Sequence, residues 1–480
     1  MCSCLLLRLA VVSFLVVSIM PPSSVMRSAA MVLGNSKAAR RVVQIPRSIW
    51  RPAALQHQEQ IHNLLEGTLL SPSQYHKTLG RKHRRRNSQS GMPRQQQSTF
   101  PNNQPQNMDD NDDNWIVPLD PLNPVCNFLI EYYGLKGVKG TKRLARWSPS
   151  PNLLLHSKER YENLSDFQEA SSRTSCLNGN FEDAFEGVFL EGVCEDDFAT
   201  MLHLRGAMLE SDGALYSPSL WLRQQQEQKQ EQSSQTSTPK GHPASAFLWY
   251  RSILQQTLQA EPILHCHGLH EWAMVYWPEG ESPPPSLKYQ AHLPLRVSRQ
   301  VINDTVERKG VSCTHVDALR FFAPSAGPLN HHGASLVRED QLRLEQPACV
   351  HAQMDLLKIV LRLQPFCDAA LLVRVLELSM DARRLDVAAS PYDATDFGVG
   401  VVPVDTEDGR AQYRKEQRVL MERAEPIRKE LLAAYDIFLE LAFEEEVSRL
   451  EKIAAPSADR FAKAEPGGKS WRRNLIASPT

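Results

Sequence analysis

The chain has 480 residues, a formal net charge of -1, 42% apolar residues and 23% charged residues. That length allows about two to three domains, and the balance excludes a collagenous rod, a coiled coil and a polytopic membrane protein. A near-neutral whole gives no broad field for nucleic-acid phosphates, so any such binding needs a local patch.

Residues 5–20, LLLRLAVVSFLVVSIM, form an apolar run too short for a span of about 20 residues. The run suits the core of a secretory leader, and 1–30 is read as that leader. Residues 31–52 are basic, lack acids and resemble a transit segment. A leader followed by such a segment points to an organelle reached through the secretory route, such as a plastid. Translation from Met31 would instead leave a nuclear or cytoplasmic protein. Residues 53–79 hold a helix, AALQHQEQIHNLLEGTLL. Residues 80–115 lose all apolar periodicity, running from RKHRRR to MDDNDDN, and read as a disordered insert with a basic head.

The globular part is placed at 116–455, with a low-complexity loop at 222–245 and a disordered tail at 456–480. PVCNFLIEYYGL (124–135) is an apolar helix or strand, and TKRLARWSPSPN (141–152) a basic turn ending at prolines. FLWYRSILQQTLQA (247–260) starts a helix, and a short one begins at Ser298. Residues 349–363 and 368–389 are amphipathic helices, bounded by Pro365 and by Ser390-Pro391. Residues 407–424 and 427–453 form a final pair interrupted at Pro426. The fold class is mainly α with a few short strands, in one globular domain with two disordered inserts; α+β is the alternative.

Nine cysteines, none spaced C-x-x-C, argue against a disulfide framework. Residues 265–393 concentrate the groups that do chemistry: His265, Cys266, His267, His270 and Glu271, then Cys313, His315 and Asp317, then Cys349, His351 and Asp355, then Asp386 and Asp393. On a strand over 311–317, Cys313, His315 and Asp317 share a face. On a helix over 350–362, His351 and Asp355 lie one turn apart. Imidazole, carboxylate and thiolate are the ligand set of zinc and related divalent ions. No H-E-x-x-H is present, so a metal site must draw on separate segments. No G-x-S-x-G elbow, P-loop or G-x-G-x-x-G appears.

GLHEWAMVY (268–276), CTHVDALRFFAPSAGPLN (313–330), EQPACVHAQMDLLKIVLRL (345–363) and LDVAASPYDATDFG (385–398) resemble successive signatures of a bacterial family catalogued as 3-methyladenine DNA glycosylase. The likeness runs from about 120 to about 435. The chain departs from that pattern at Ala348, usually Gly, and at Gln353, usually Asn. The resemblance implies DNA repair: hydrolysis of the N-glycosidic bond of alkylated purines in DNA. That chemistry asks for a carboxylate, with Glu271, Asp317 and Asp355 as candidates, and for stacking rings, with Trp272, Tyr276, Phe321 and Phe322 as candidates. The helix-hairpin-helix device common in glycosylases is missing, and Arg296, Arg299, Arg308 and Arg320 are scattered.

Three functions follow. One is the glycosylase that the resemblance implies, with Asp355 or Asp317 as the activating carboxylate. The second is a metal-dependent hydrolase of a small molecule. It uses a divalent metal such as zinc on His267, His270, His315 and His351 with Asp317, and Glu271 as base. The third is a non-catalytic scaffold in which the polar cluster rigidifies the core. A basic cleft would favour the first, converging imidazoles and carboxylates the second, and separately bonded histidines the third.

Overall fold

The computed structural model describes residues 43–45, 47–71, 73–75, 116–151, 153–156, 187–189, 203–205, 208–210, 213–219, 221–222, 244–281 and 292–443. The leader, most of the transit-like segment, the insert at 80–115, the body of the loop at 222–245 and the tail at 456–480 lie outside the described residues. The described chain is mainly α, as the periodicity predicts. No helix among the described residues is long and apolar enough to cross a membrane.

Helix α1 (Arg47–Leu65) starts inside the transit-like stretch and runs through Pro52. Its inner face is Trp50, Ala54, His57, Ile61 and Leu65, all buried, at the three- and four-residue spacing of one helix side. Helices α2 (Asn127–Glu131) and α3 (Gly137–Ala145) follow. The first part of the basic stretch read as a turn, 141–145, is thus helical, and 146–151 are not. His57 Nε2 lies 2.9 Å from the Leu144 carbonyl and joins α1 to α3.

The strands β1 (Val43–Ile45), β2 (Leu153–His156), β3 (Gly187–Phe189), β4 (His203–Arg205), β5 (Met208–Glu210) and β6 (Gly213–Leu215) are each three or four residues long. Four of them form a sheet ordered β1-β2-β6-β5, and β3 and β4 pair separately. The β1–β2 pair is parallel, with Val43 opposite Leu153; the others are antiparallel.

Seven more helices, α4 (Ser245–Gln259), α5 (Leu269–Met274), α6 (Arg299–Lys309), α7 (Val316–Leu319), α8 (Gln341–Leu344), α9 (Val350–Leu363) and α10 (Ala369–Ala389), lead to the long α11 (Glu407–Ala442). Helices α9, α10 and α11 pack on one another, α4 lies on α11, and α1 lies on α10. Helix α10 is buried on most sides, with Leu371, Leu372, Val375, Leu376, Leu378, Met380 and Leu385 in the core. That is the pattern of a central helix rather than a surface one. Asp368 caps it, its carboxylate accepting from the Ala370 N–H at 2.8 Å.

The break expected at Pro426 does not occur. Helix α11 crosses it as one element of 36 residues. Proline inside a helix costs about 3 kcal/mol or more. The buried stripe continues past it through Ile427, Leu431, Tyr435 and Phe438, and each such side chain contributes about 1.5–3 kcal/mol. Burial therefore wins. Pro426 and Glu422, whose carbonyl loses its partner, both sit on the exposed side, where water replaces the bond.

Candidate metal centre

The cluster begins with a turn that periodicity cannot reveal. His267 and Gly268 both have left-handed backbone, at φ 49° and 70°. The Leu269 N–H closes the turn onto the Cys266 carbonyl at 2.9 Å. A Cβ on Gly268 would stand 3.1 Å from the Ala389 Cβ and 3.4 Å from the Tyr413 ring, so this backbone lies directly against α10 and α11. Trp272, fully buried, donates its indole N–H to the Ala389 carbonyl at 2.8 Å. The turn and this bond fix α5 on the C-terminal end of α10, with His270 facing Asp386.

Helix α10 supplies Arg383 and Asp386, one turn apart. Arg383 Nη1 donates to Glu271 Oε1 at 2.7 Å and to Asp386 Oδ2 at 2.5 Å, and its Nε donates to the Pro124 carbonyl at 3.0 Å. The other Asp386 oxygen, Oδ1, lies 2.7 Å from His270 Nε2. That contact is short, yet neither atom has a hydrogen-bond partner of acceptable alignment. Burial works against a charged His270 ring, but the Asp386 carboxylate outweighs it and holds the ring above its ordinary value. Burial likewise opposes the Asp386 anion, and His270 and Arg383 together pull its carboxyl well below the usual range.

Helix α9 contributes His351 and Asp355 from one face, as the spacing predicts. The His351 ring lies edge-on to His270 at 4.3 Å between centroids and is stacked on His315 at 4.6 Å and 12°. Burial first, then the neighbouring His270 and His315, push His351 far below its ordinary value. Burial lowers His315 too.

The alternation over 311–317 is not a strand. His315 is the N-cap of α7, and Asp317 lies in its first turn. Val311 bridges Asn330, and the Asn330 side chain clamps Cys313 by accepting from its N–H at 2.9 Å and donating to its carbonyl at 3.2 Å. The extended backbone is thus set by a distant loop.

Three groups of ligand atoms converge, each within 4.8 Å: His270, His351 and Asp386; Cys266, His270 and Cys313; and His315, Asp317 and Asp355. The Asp386 side chain is 0% exposed and that of Asp317 is 47% exposed, so the cluster has a buried end and an open end. At the open end Asp355 accepts from the Tyr133 hydroxyl at 3.0 Å. Lys358 Nζ lies 3.7 Å from Asp317 and 4.0 Å from Asp355.

Of the histidines picked as ligands, His270, His315 and His351 come together. His267 is in none of the converging groups; its ring lies 6.2 Å from that of Tyr413. Glu271, picked as a base, is instead ion-paired with Arg383. Asp317 and Asp355 meet at the open end. Of the rings picked for stacking, Trp272, Tyr276 and Phe322 are buried; Phe321 is part-exposed and meets Tyr132 edge-on at 5.6 Å. Arg383 was not singled out from the sequence, and Asp386 was noted without a role. The available signal was a charged pair at i and i+3 on the apolar stripe of α10, since buried charges are costly unless paired.

No protein-family model, curated protein or solved structure matches the chain.

Proposed function

We propose that this protein is a metal-dependent hydrolase of a small molecule, with its ion held by His270 Nε2, His351 and Asp386 Oδ1. The carrying observation is the convergence of these groups within 4.8 Å on three separate helices, with the short, unaligned approach of His270 Nε2 to Asp386 Oδ1. Two imidazoles and a carboxylate form the ligand set of hydrolytic zinc centres. An ion there supplies Lewis-acid activation of water. The chain's own residues do the rest. Arg383 grips Asp386 by its other oxygen and so aims Oδ1, the outer-shell arrangement that orients ligands. Asp355, set by Tyr133 and reached through the His351–His315 stack, is the carboxylate best placed to take a proton at the open end.

Protein purified without chelator or metal-affinity tag should contain bound zinc, iron or manganese by elemental analysis. Asp386→Asn should weaken retention by at least the ~10–100-fold that outer-shell changes cost. No metal after reconstitution, or unchanged content in that variant, would sink the proposal.

A second reading rests on the open end. Tyr132 and Phe321 meet edge-on at 5.6 Å, and Arg320, which lies 3.8 Å from Asp317, stands over the Phe321 ring at 5.0 Å. This suits a planar base presented to Asp355, as the glycosylase resemblance implies. A base-release assay on alkylated DNA with Asp355→Asn tests it. Release by wild-type protein that the variant loses would support this reading.

A further inference from the structure

The thiols on the far side of His270 have no part in the proposed hydrolysis. Cys266 and Cys313 come from segments 47 positions apart and are both free. Their sulfurs and a His270 nitrogen lie within 4.8 Å of one another. Cys266 Sγ is 3.5 Å from His270 Nδ1. In a tetrahedral zinc site with ordinary Zn–S and Zn–N bonds, a sulfur and a nitrogen stand about 3.5 Å apart. Both arms are fixed by backbone. The left-handed turn at His267–Gly268 brings Cys266 beneath the His270 ring, and the Asn330 clamp holds Cys313. Such preset ligands lose little freedom on binding an ion. Two thiols and an imidazole in a buried niche select a soft or borderline ion.

We propose that Cys266, Cys313 and His270 Nδ1 form a second metal seat, for an ion of the zinc class, back to back with the first across the His270 ring. Filling it would release the two thiol protons and the proton on His270 Nδ1 to solvent. With both seats filled the ring would have given up its Nε2 proton as well and would join the two ions as imidazolate. The thiolate seat does not depend on the hydrolase reading, because its two sulfurs belong to neither the first ligand set nor the open end.

The test uses the full chain and cobalt(II) as the probe ion. Wild-type protein should show intense near-ultraviolet thiolate-to-cobalt absorption. Cys266→Ser and Cys313→Ser should lose it, while Asp386→Asn keeps it. Absence of the band in wild-type protein, or its persistence in both serine variants, overturns the proposal. Loss of the band in Asp386→Asn also overturns it, since the thiols would then serve the first ion rather than a second.

A measurement that needs no variant guards against misfolding. Zinc should slow alkylation of the half-buried Cys266 in wild-type protein at least ~10-fold, and a chelator should restore it. An unchanged rate, or protection reversed by a reductant and not by a chelator, would mean no metal seat, the latter pointing to a disulfide. If the band and the protection are present while hydrolysis is never found, this seat stands and the hydrolase reading falls.

Discussion

The two ends of the polar cluster solve the problem of charge in opposite ways. At the buried end Glu271 and Asp386 share one guanidinium, and His270 completes the group out of contact with solvent. At the open end Asp317 and Asp355 face Lys358 at 3.7–4.0 Å, and Asp317 also has Arg320 at 3.8 Å, with water close by. Water screens Asp317 and Arg320, and exposed pairs of this kind contribute about 0–1 kcal/mol, whereas Asp355 is buried and marks the border between the two ends. The buried end has no such screen, so each charge there depends on its partner. Under the proposed function, the buried end would hold the ion in fixed geometry and the open end would exchange protons and substrate.

This contrast can be broken first at Arg383. Arg383→Met leaves Glu271 and Asp386 buried without their cation and should cost roughly 3–5 kcal/mol, read from denaturant unfolding of the metal-free protein. A loss below about 1 kcal/mol would place the buried end in the same class as the open one.

A second, smaller effect tests how far burial reaches toward the open end. Burial, with Asp355 nearby, raises the Glu345 carboxyl from its ordinary 4.5 to about 7. The folded state thus holds this proton more tightly than the unfolded chain. The associated stability is complete below about pH 4.5, falls as pH rises toward 7, and stays lost above that. The change is on the order of 3 kcal/mol. Glu345→Gln should flatten that part of the stability-pH curve. An identical slope in the variant would assign the slope to other groups.

The smallest effect belongs to the rim. Asp317→Asn should change stability by no more than about 0.5 kcal/mol, read from the same unfolding curves, and any larger loss would show the open end to be structurally coupled to the core.

Much of the frame was legible because its signals are local. Prolines and Ser390 bound α9 and α10 in the sequence as they do in space, and the spacing of His351 and Asp355 is enough to place both on one face. The departures share one cause, which is information held elsewhere in the chain. Whether Pro426 breaks a helix depends on which side the freed carbonyl faces. Whether 311–317 is a strand depends on Asn330. That Glu271 is ion-paired depends on Arg383, on another helix. The exclusion of His267 follows from two left-handed residues, which leave no trace in an apolar pattern.

The hydrogen bonds of Arg383 have a kinetic meaning as well. Its guanidinium joins residues 259 positions apart at Pro124 and 112 positions apart at Glu271. Closing such large loops is slow compared with winding α9 or α10. The polar cluster is thus expected among the last parts of the molecule to form, and an ion bound there would report on completed folding rather than on the presence of helices.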